Sequence, residues 1–479
     1  MALYKIDTLD RLLRFISDMV DDNRQNVKNL SSLKEMAGFG DPNSKDILKG
    51  VIINYINKSV DTQNINLLIE QYHVNYFEKV YTGDNKDFGM IINSLCIHRD
   101  DNLNVKIGLL AQIIFQELYG LSVIDIYSYN DVDGLNEINL NTKDFVSFQI
   151  KGRKERVKKL YFKDEVSYED TIRRSVSFSK LDNFHPLDFN NPEVKCERIC
   201  GARVTAVMPP YSRYYSLNLR YTGATFFSKE FFIASRTSNL YMEDFIDLIM
   251  KGRPNIFVLG GQGTGKTTYL LRLISSIAEN VSILTIESTL ELNILKYFPD
   301  KDVKNLKFFK LKSPEDCFKT GLRMNRDIII DGEVLTPEEA YITLEAMTRQ
   351  NRGSMGSFHT SSNQDFIYDY KNMLLRGGIY KTEESALYDI ARAVNILIFI
   401  SINRQTGKRY IKEVSEMIFK PEDYHRPYEL STLFKYDRKK DELFPANRIS
   451  EAFLDRAMDY EFTESDRVKL YNLYKKIKI

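Results

Sequence analysis

Residues 255–276 read Asn255-Ile-Phe-Val-Leu-Gly-Gly-Gln-Gly-Thr-Gly-Lys-Thr-Thr-Tyr-Leu-Leu-Arg-Leu-Ile-Ser-Ser276. The apolar start, 255–259, predicts a short buried strand, and Leu270, Leu271, Leu273 and Ile274 predict a helix by their spacing. Between them, Gly260 to Thr267 fits the phosphate-loop pattern G-x-x-x-x-G-K-[ST]. Glycines let the backbone curl so that successive N–H groups point at a phosphate chain, and the following helix adds its positive end. The predicted nucleotide cradle is Gly260, Gly261, Gln262, Gly263, Thr264, Gly265, Lys266, Thr267 and Thr268. Lys266 is placed to reach the β- and γ-phosphates, and the Thr267 hydroxyl to bind Mg2+. The chain is therefore expected to bind a nucleoside triphosphate.

Hydrolysis requires carboxylates near Mg2+ and the attacking water, and positive charge where the transition state gains negative charge. Asp327-Ile-Ile-Ile-Asp-Gly-Glu333 predicts a buried strand whose carboxyl end lies beside the phosphate loop. Glu333 is the expected base and Asp331 an indirect Mg2+ partner, both facing one side if the strand continues regularly. Glu287 ends another expected strand, where it could touch Mg2+ or the water. His359 ends a third, and the pattern leaves two readings open, a structural histidine or a γ-phosphate sensor. Further upstream, Ala202 to Met208 and Ser216 to Tyr221 read as strands that carry Arg203 and Arg220 toward the nucleotide domain.

The bulk composition is that of ordinary globular protein: 479 residues, 43% hydrophobic and 28% charged. With 67 basic against 66 acidic residues, no global field draws it to nucleic acid or an anionic membrane. Asp7, Asp10, Arg11, Arg14 and Asp18 argue against a secretory signal, and the apolar run 396–402 is too short to span a bilayer. Four cysteines make no disulfide framework, and Cys196 and Cys200 lack a second pair at zinc spacing.

Three regions are expected: a helical, polar extension over 1–105, an α+β domain over 106–235, and an α/β nucleotide domain over 236–479. In the second region strands are expected at 137–140, 145–150 and 160–162, with Lys151-Gly152-Arg153 as a hairpin turn and the basic run 151–159 along it. The third should hold a mostly parallel sheet, with strands at 255–259, 281–286, 306–311, 327–331, 354–359 and 395–402. Thr336-Pro337-Glu338-Glu339 reads as a capping box that opens a helix. A hairpin (409–418 with 428–436) and two helices complete the chain.

Four stretches in order, GGQGTGKTT, TIESTLEL, RMNRDIIIDGEV and GSMGSFHTSS, resemble the boxes of the type II/type IV secretion and pilus-assembly ATPases. Arg203 to Pro210 with Leu217 to Arg220 resemble the arginine-bearing strands of that family's N-terminal domain, and the segment from Tyr428 to Phe434 resembles its tight-adherence branch. The likeness spans roughly 110–455. It implies a RecA-like fold and a cytoplasmic hexamer peripheral to the inner membrane, whose ATP turnover moves domains against membrane platform proteins. Carried over by position, Lys266 and Thr267 hold phosphates and Mg2+, Glu333 is catalytic and His359 the sensor, while Arg203 and Arg220 neutralise charge. Two departures stand out: Ser288 follows Glu287 where the family has an acid, and Asp331 replaces an apolar residue. The main alternatives are a nucleotide-dependent scaffold with weak hydrolysis and a nucleic-acid motor on the same core, the latter disfavoured by the neutral charge balance.

Overall fold

Apolar residues at every second position, Ile138 and Leu140 in Leu135–Thr142 and Val146, Phe148 and Ile150 in Phe145–Ile150, build the first antiparallel hairpin, β1 and β2. The structure is a computed structural model. It describes residues 6–477 apart from 23–29, 130, 131, 133, 152, 179–185, 222–225, 310, 350 and 351. The chain divides into two compact units, Met1–Thr222 and Gly223–Ile479. Among the described residues, each unit holds one large sheet, so the fold is mixed α/β.

In the first unit Arg153–Arg156 (β3) pairs with β2, so part of the basic run 151–159 lies on a hairpin edge; its expected turn residue Gly152 is outside the described residues. Glu193–Glu197 (β4), Ala202–Val207 (β5) and Ser216–Tyr221 (β6) complete a sheet of order β3-β2-β1-β6-β5-β4. No strand forms at 160–162. Leu160 and Phe162 are buried, but their amides donate to Val157 and Lys143 carbonyls instead of a ladder. Their alternation therefore reported burial, not pairing. The helices before residue 105 share one apolar cluster with later elements. Leu12, Ile16, Leu48 and Ile52 belong to the same core as Leu110, Ile138, Phe148 and Leu219. A typical member is the helix Pro42–Ser59, started by Asp41, whose carboxylate accepts from the Ser44 amide at 3.0 Å, with proline at its first position.

The second unit contains a sheet of order β15-β14-β13-β12-β7-β11-β10-β8-β9. Its parallel part comprises β7 (Ile256–Leu259), β8 (Ile283–Glu287), β9 (Val303–Lys307), β10 (Ile328–Val334), β11 (Met355–Phe358) and β12 (Ile396–Ile402). Ile256, Val258, Ile283, Ile328 and Ile330 face the helix Lys266–Ser275, whereas Leu284, Ile286 and Ile329 face the opposite layer. Each such side chain, once fully buried, contributes roughly 1.5–3 kcal/mol. The expected strand at 306–311 is displaced to 303–307: β9 is an edge whose Lys304 and Asn305 are exposed, so its polar sequence concealed it. Antiparallel β13 (Arg409–Phe419), β14 (Tyr428–Asp437) and the unanticipated β15 (Glu442–Pro445) extend the sheet beyond β12. The helices Glu451–Ala457 and Glu464–Ile477 follow. No helix among the described residues is long and apolar enough to cross a membrane.

Candidate functional site

The loop after β7 adopts the curl its glycines predict. Gly260, Gly263 and Gly265 have φ of 148°, 73° and 98°, a region that L side chains avoid. At Gly260 space is limiting as well, because a Cβ would lie 2.3 Å from the Ile400 carbonyl oxygen of β12. Helix Lys266–Ser275 begins directly after Gly265, which places its first N–H groups at the loop.

Lys266 is buried, and its Nζ donates to the Gly261 carbonyl at 3.2 Å. The same Nζ lies 3.3 Å from each ring nitrogen of His359, just beyond the end of β11. His359 Nε2 in turn lies 2.6 Å from Glu333 Oε1, on β10. Three residues predicted separately thus form one chain, Lys266–His359–Glu333, across the carboxyl ends of β7, β11 and β10. Ser357 adds a contact that sequence reading missed, since its hydroxyl donates to the Gly332 carbonyl at 2.7 Å and ties β11 to β10 just before Glu333.

Glu287 ends β8 on the same face as Gly332. Its Oε1 accepts the Glu291 and Leu292 amides at 3.0 and 3.1 Å, while Oε2 has no hydrogen-bond partner among the described residues. Burial pushes its pKa up to about 7, against the lowering effect of those amides.

Asp331 is placed differently from the regular strand expected. A bulge interrupts β10: Asp331 pairs with Gly356 but Val334 with Phe358, so three steps on one strand match two on the other. The extra residue reverses the facing. Asp331 points away from the phosphate loop, fully buried against helix Pro337–Arg349, with Oδ2 2.9 Å from Thr343 Oγ1. That hydroxyl also lies 2.8 Å from the Glu339 carbonyl oxygen. A hydroxyl has one proton to give, so both contacts are satisfied when Asp331 is itself protonated. Burial, and next the Glu339 carboxylate, hold its pKa well above the usual range. Both favour the protonated acid, and the side chain, held by Thr343, faces away from the loop where the expected Mg2+ would sit. Glu339 behaves as the capping box predicts, its carboxylate accepting the Thr336 amide at 2.7 Å.

Arg203 and Arg220 are opposite each other on β5 and β6, in the first unit. Arg203 also faces Glu197, and Arg220 faces Glu137, on the less buried side of that sheet.

The strand, glycine loop and helix, with a lysine at the helix start and an acid at the end of a neighbouring strand, define a phosphate-loop protein. Residues 206–421 match the family model of the Type II/IV secretion system proteins. The chain is 30% identical over 135 residues to the type IV secretion system protein VirB11 of Bartonella quintana, covering 27% of this chain and 37% of that one. It is 26% identical over 229 residues to an uncharacterized protein of Bacillus anthracis, covering 47% of this chain and 51% of the other. The chain thus spans about half or less of the length of these relatives. Among solved structures, the ATPase DotB of Legionella pneumophila aligns with a TM-score of 0.45 at 16% identity, covering 63% of this chain and 81% of that one.

Proposed function

We propose that this chain is a magnesium-dependent ATP hydrolase with a RecA-like core, acting as the motor of a machine for secretion, conjugation or pilus assembly. The observation that carries this reading is the Lys266–His359–Glu333 chain, which joins a phosphate-binding cation to a candidate base through one imidazole. The loop amides and Lys266 bind the phosphates of ATP, Thr267 supplies its hydroxyl to Mg2+, and Glu333 orients and deprotonates the attacking water.

The donor set fits Mg2+ as this class uses it. No group of three metal-ligating side chains occurs among the described residues, and Mg2+ keeps waters and binds phosphates plus one or two protein oxygens. Thr267 and the unpartnered Oε2 of Glu287 are those oxygens. When bound, Mg2+ neutralises charge on the β- and γ-phosphates. Arg203 and Arg220 are the candidates for neutralising transition-state charge in a hexameric ring, where such arginines are worth about 10³-fold or more in rate. The ring works at the cytoplasmic face of the inner membrane against platform proteins, most like the conjugation and tight-adherence systems.

Glu333→Gln tests the reading: ATP turnover falls by orders of magnitude while ATP binding persists. Equal, slow turnover in both proteins would favour a nucleotide-dependent scaffold, a reading that Ser288 and the raised pKa of Glu287 support. DNA-stimulated turnover would favour the nucleic-acid motor.

A further inference from the structure

Arg409 opens β13, directly opposite Ile402 of β12. This hairpin forms one wall of the phosphate loop, since the Ile400 carbonyl of β12 is the group that excludes a side chain at Gly260. Arg409 extends along that wall. Its Cδ and Nε lie 3.4 and 3.7 Å from the position a Cβ would take at Gly265. Nε donates to the Gly263 carbonyl oxygen at 3.2 Å.

Among the described residues the charge of Arg409 lacks a carboxylate partner. Its neighbour Lys408 is paired with both oxygens of Asp441 at 2.7 Å. Arg409 makes no ion pair among the described residues, and the Gly263 bond is the one hydrogen bond of its guanidinium there. The group is half-buried, and burial alone lowers its pKa. A guanidinium carries five N–H donors in a fixed fork suited to phosphate. One is used on a loop carbonyl, where it keeps that oxygen turned from the anion, and the two Nη groups remain. A half-buried, uncompensated cation resting on a loop that binds polyanions is a site whose counter-charge comes from the ligand.

Resting on the nucleotide-binding reading above, we propose that Arg409 binds the phosphate chain of the nucleotide held by its own subunit, through its Nη groups, while Nε holds the loop. Lys266 and Arg409 then grip the phosphates from two elements, the loop helix and the terminal hairpin.

The test is calorimetric titration of the full chain with Mg·ADP and with Mg·pyrophosphate, which carries phosphates but no base. Wild type, Arg409→Gln and Arg409→Lys are compared, each with a thermal melt of the ligand-free protein. The expected result is that Arg409→Gln weakens both ligands by roughly 10- to 100-fold. Arg409→Lys should restore most of the affinity, and the ligand-free melting temperature of Arg409→Gln should stay level or rise, because an unpaired charge is removed. Affinities of Arg409→Gln within twofold of wild type would overturn the proposal. So would a loss for ADP that spares pyrophosphate, which would assign Arg409 to the base, or a lowered ligand-free melting temperature, which would make it a structural clamp. Wild type that binds neither ligand would instead overturn the nucleotide reading itself.

Discussion

The carboxyl of Glu287 packs against the Cα of Gly332 so closely that a Cβ there would lie 2.8 Å from Oε1 and 3.1 Å from Cγ. The carboxyl cannot swing aside freely, because Oε1 is anchored by two backbone amides. Gly332→Ala should therefore break those bonds and cost about 1–3 kcal/mol, as overpacked cores do. In a Glu287→Ala background the same substitution should cost much less. Urea denaturation of the four proteins checks this, and equal costs in both backgrounds would refute it.

Glu287 also predicts a pH dependence. Its folded pKa, about 7, is above the ordinary glutamate value, so the folded state holds the proton more tightly than the unfolded chain. Its contribution to stability is complete below the unfolded pKa and is lost as pH rises through about 7, a change on the order of 3 kcal/mol. Glu287→Gln should flatten the decline in stability between pH 5 and 8. Asp331 and Glu339, both raised mainly by burial, will leave a residual slope in the same direction.

Asp331 should be dispensable for Mg2+. Asp331→Asn keeps the shape and offers an amide to Thr343, so the Mg2+ concentration for half-maximal ATP turnover should match wild type. A severalfold rise would return Asp331 to the metal site.

His359 joins Lys266 to Glu333, and removing it should separate binding from chemistry. His359→Ala is expected to lower kcat by about 10²-fold, with ATP affinity changed only severalfold. Steady-state turnover and titration with a fluorescent ATP analogue measure the two effects. A variant that lost affinity as fully as turnover would make His359 a binding residue.

Behind the site, Arg272 of the loop helix pairs with Glu243 at 3.0 Å, their side chains 3% and 0% exposed. Arg272→Met should destabilise the protein by roughly 3–5 kcal/mol, because it leaves the buried Glu243 carboxylate with hydrogen bonds from Ser238 and Tyr269 but no counter-charge from Arg272. Adding Glu243→Leu should recover most of that loss, as thermal or urea unfolding would show.

Much of the site was legible because its parts are contiguous. The phosphate loop is a backbone shape, and the glycines that permit it stand in one run with the lysine that uses it. Burial of Ile328 to Ile330 and the strand ends at Glu287 and His359 follow from apolar runs bounded by polar residues. Polar β9 was displaced in the reading because an edge strand has little apolar signal, and β15 was missed. Leu160 and Phe162 misled for the opposite reason, being buried without a ladder.

The sequence by itself determined the phosphate loop, its flanking strand and helix, and the strand ends that carry Glu333 and His359. These depend on local backbone preference and on which side chains leave water, both written residue by residue. Tertiary structure alone decided that Asp331 and Glu333 face opposite ways, because a bulge in register with β11 adds a residue that alternation cannot foresee. It also decided that Arg409 rests on Gly263, 146 positions away in the chain, since only the packing of β12 and β13 beside β7 brings that cation to the loop.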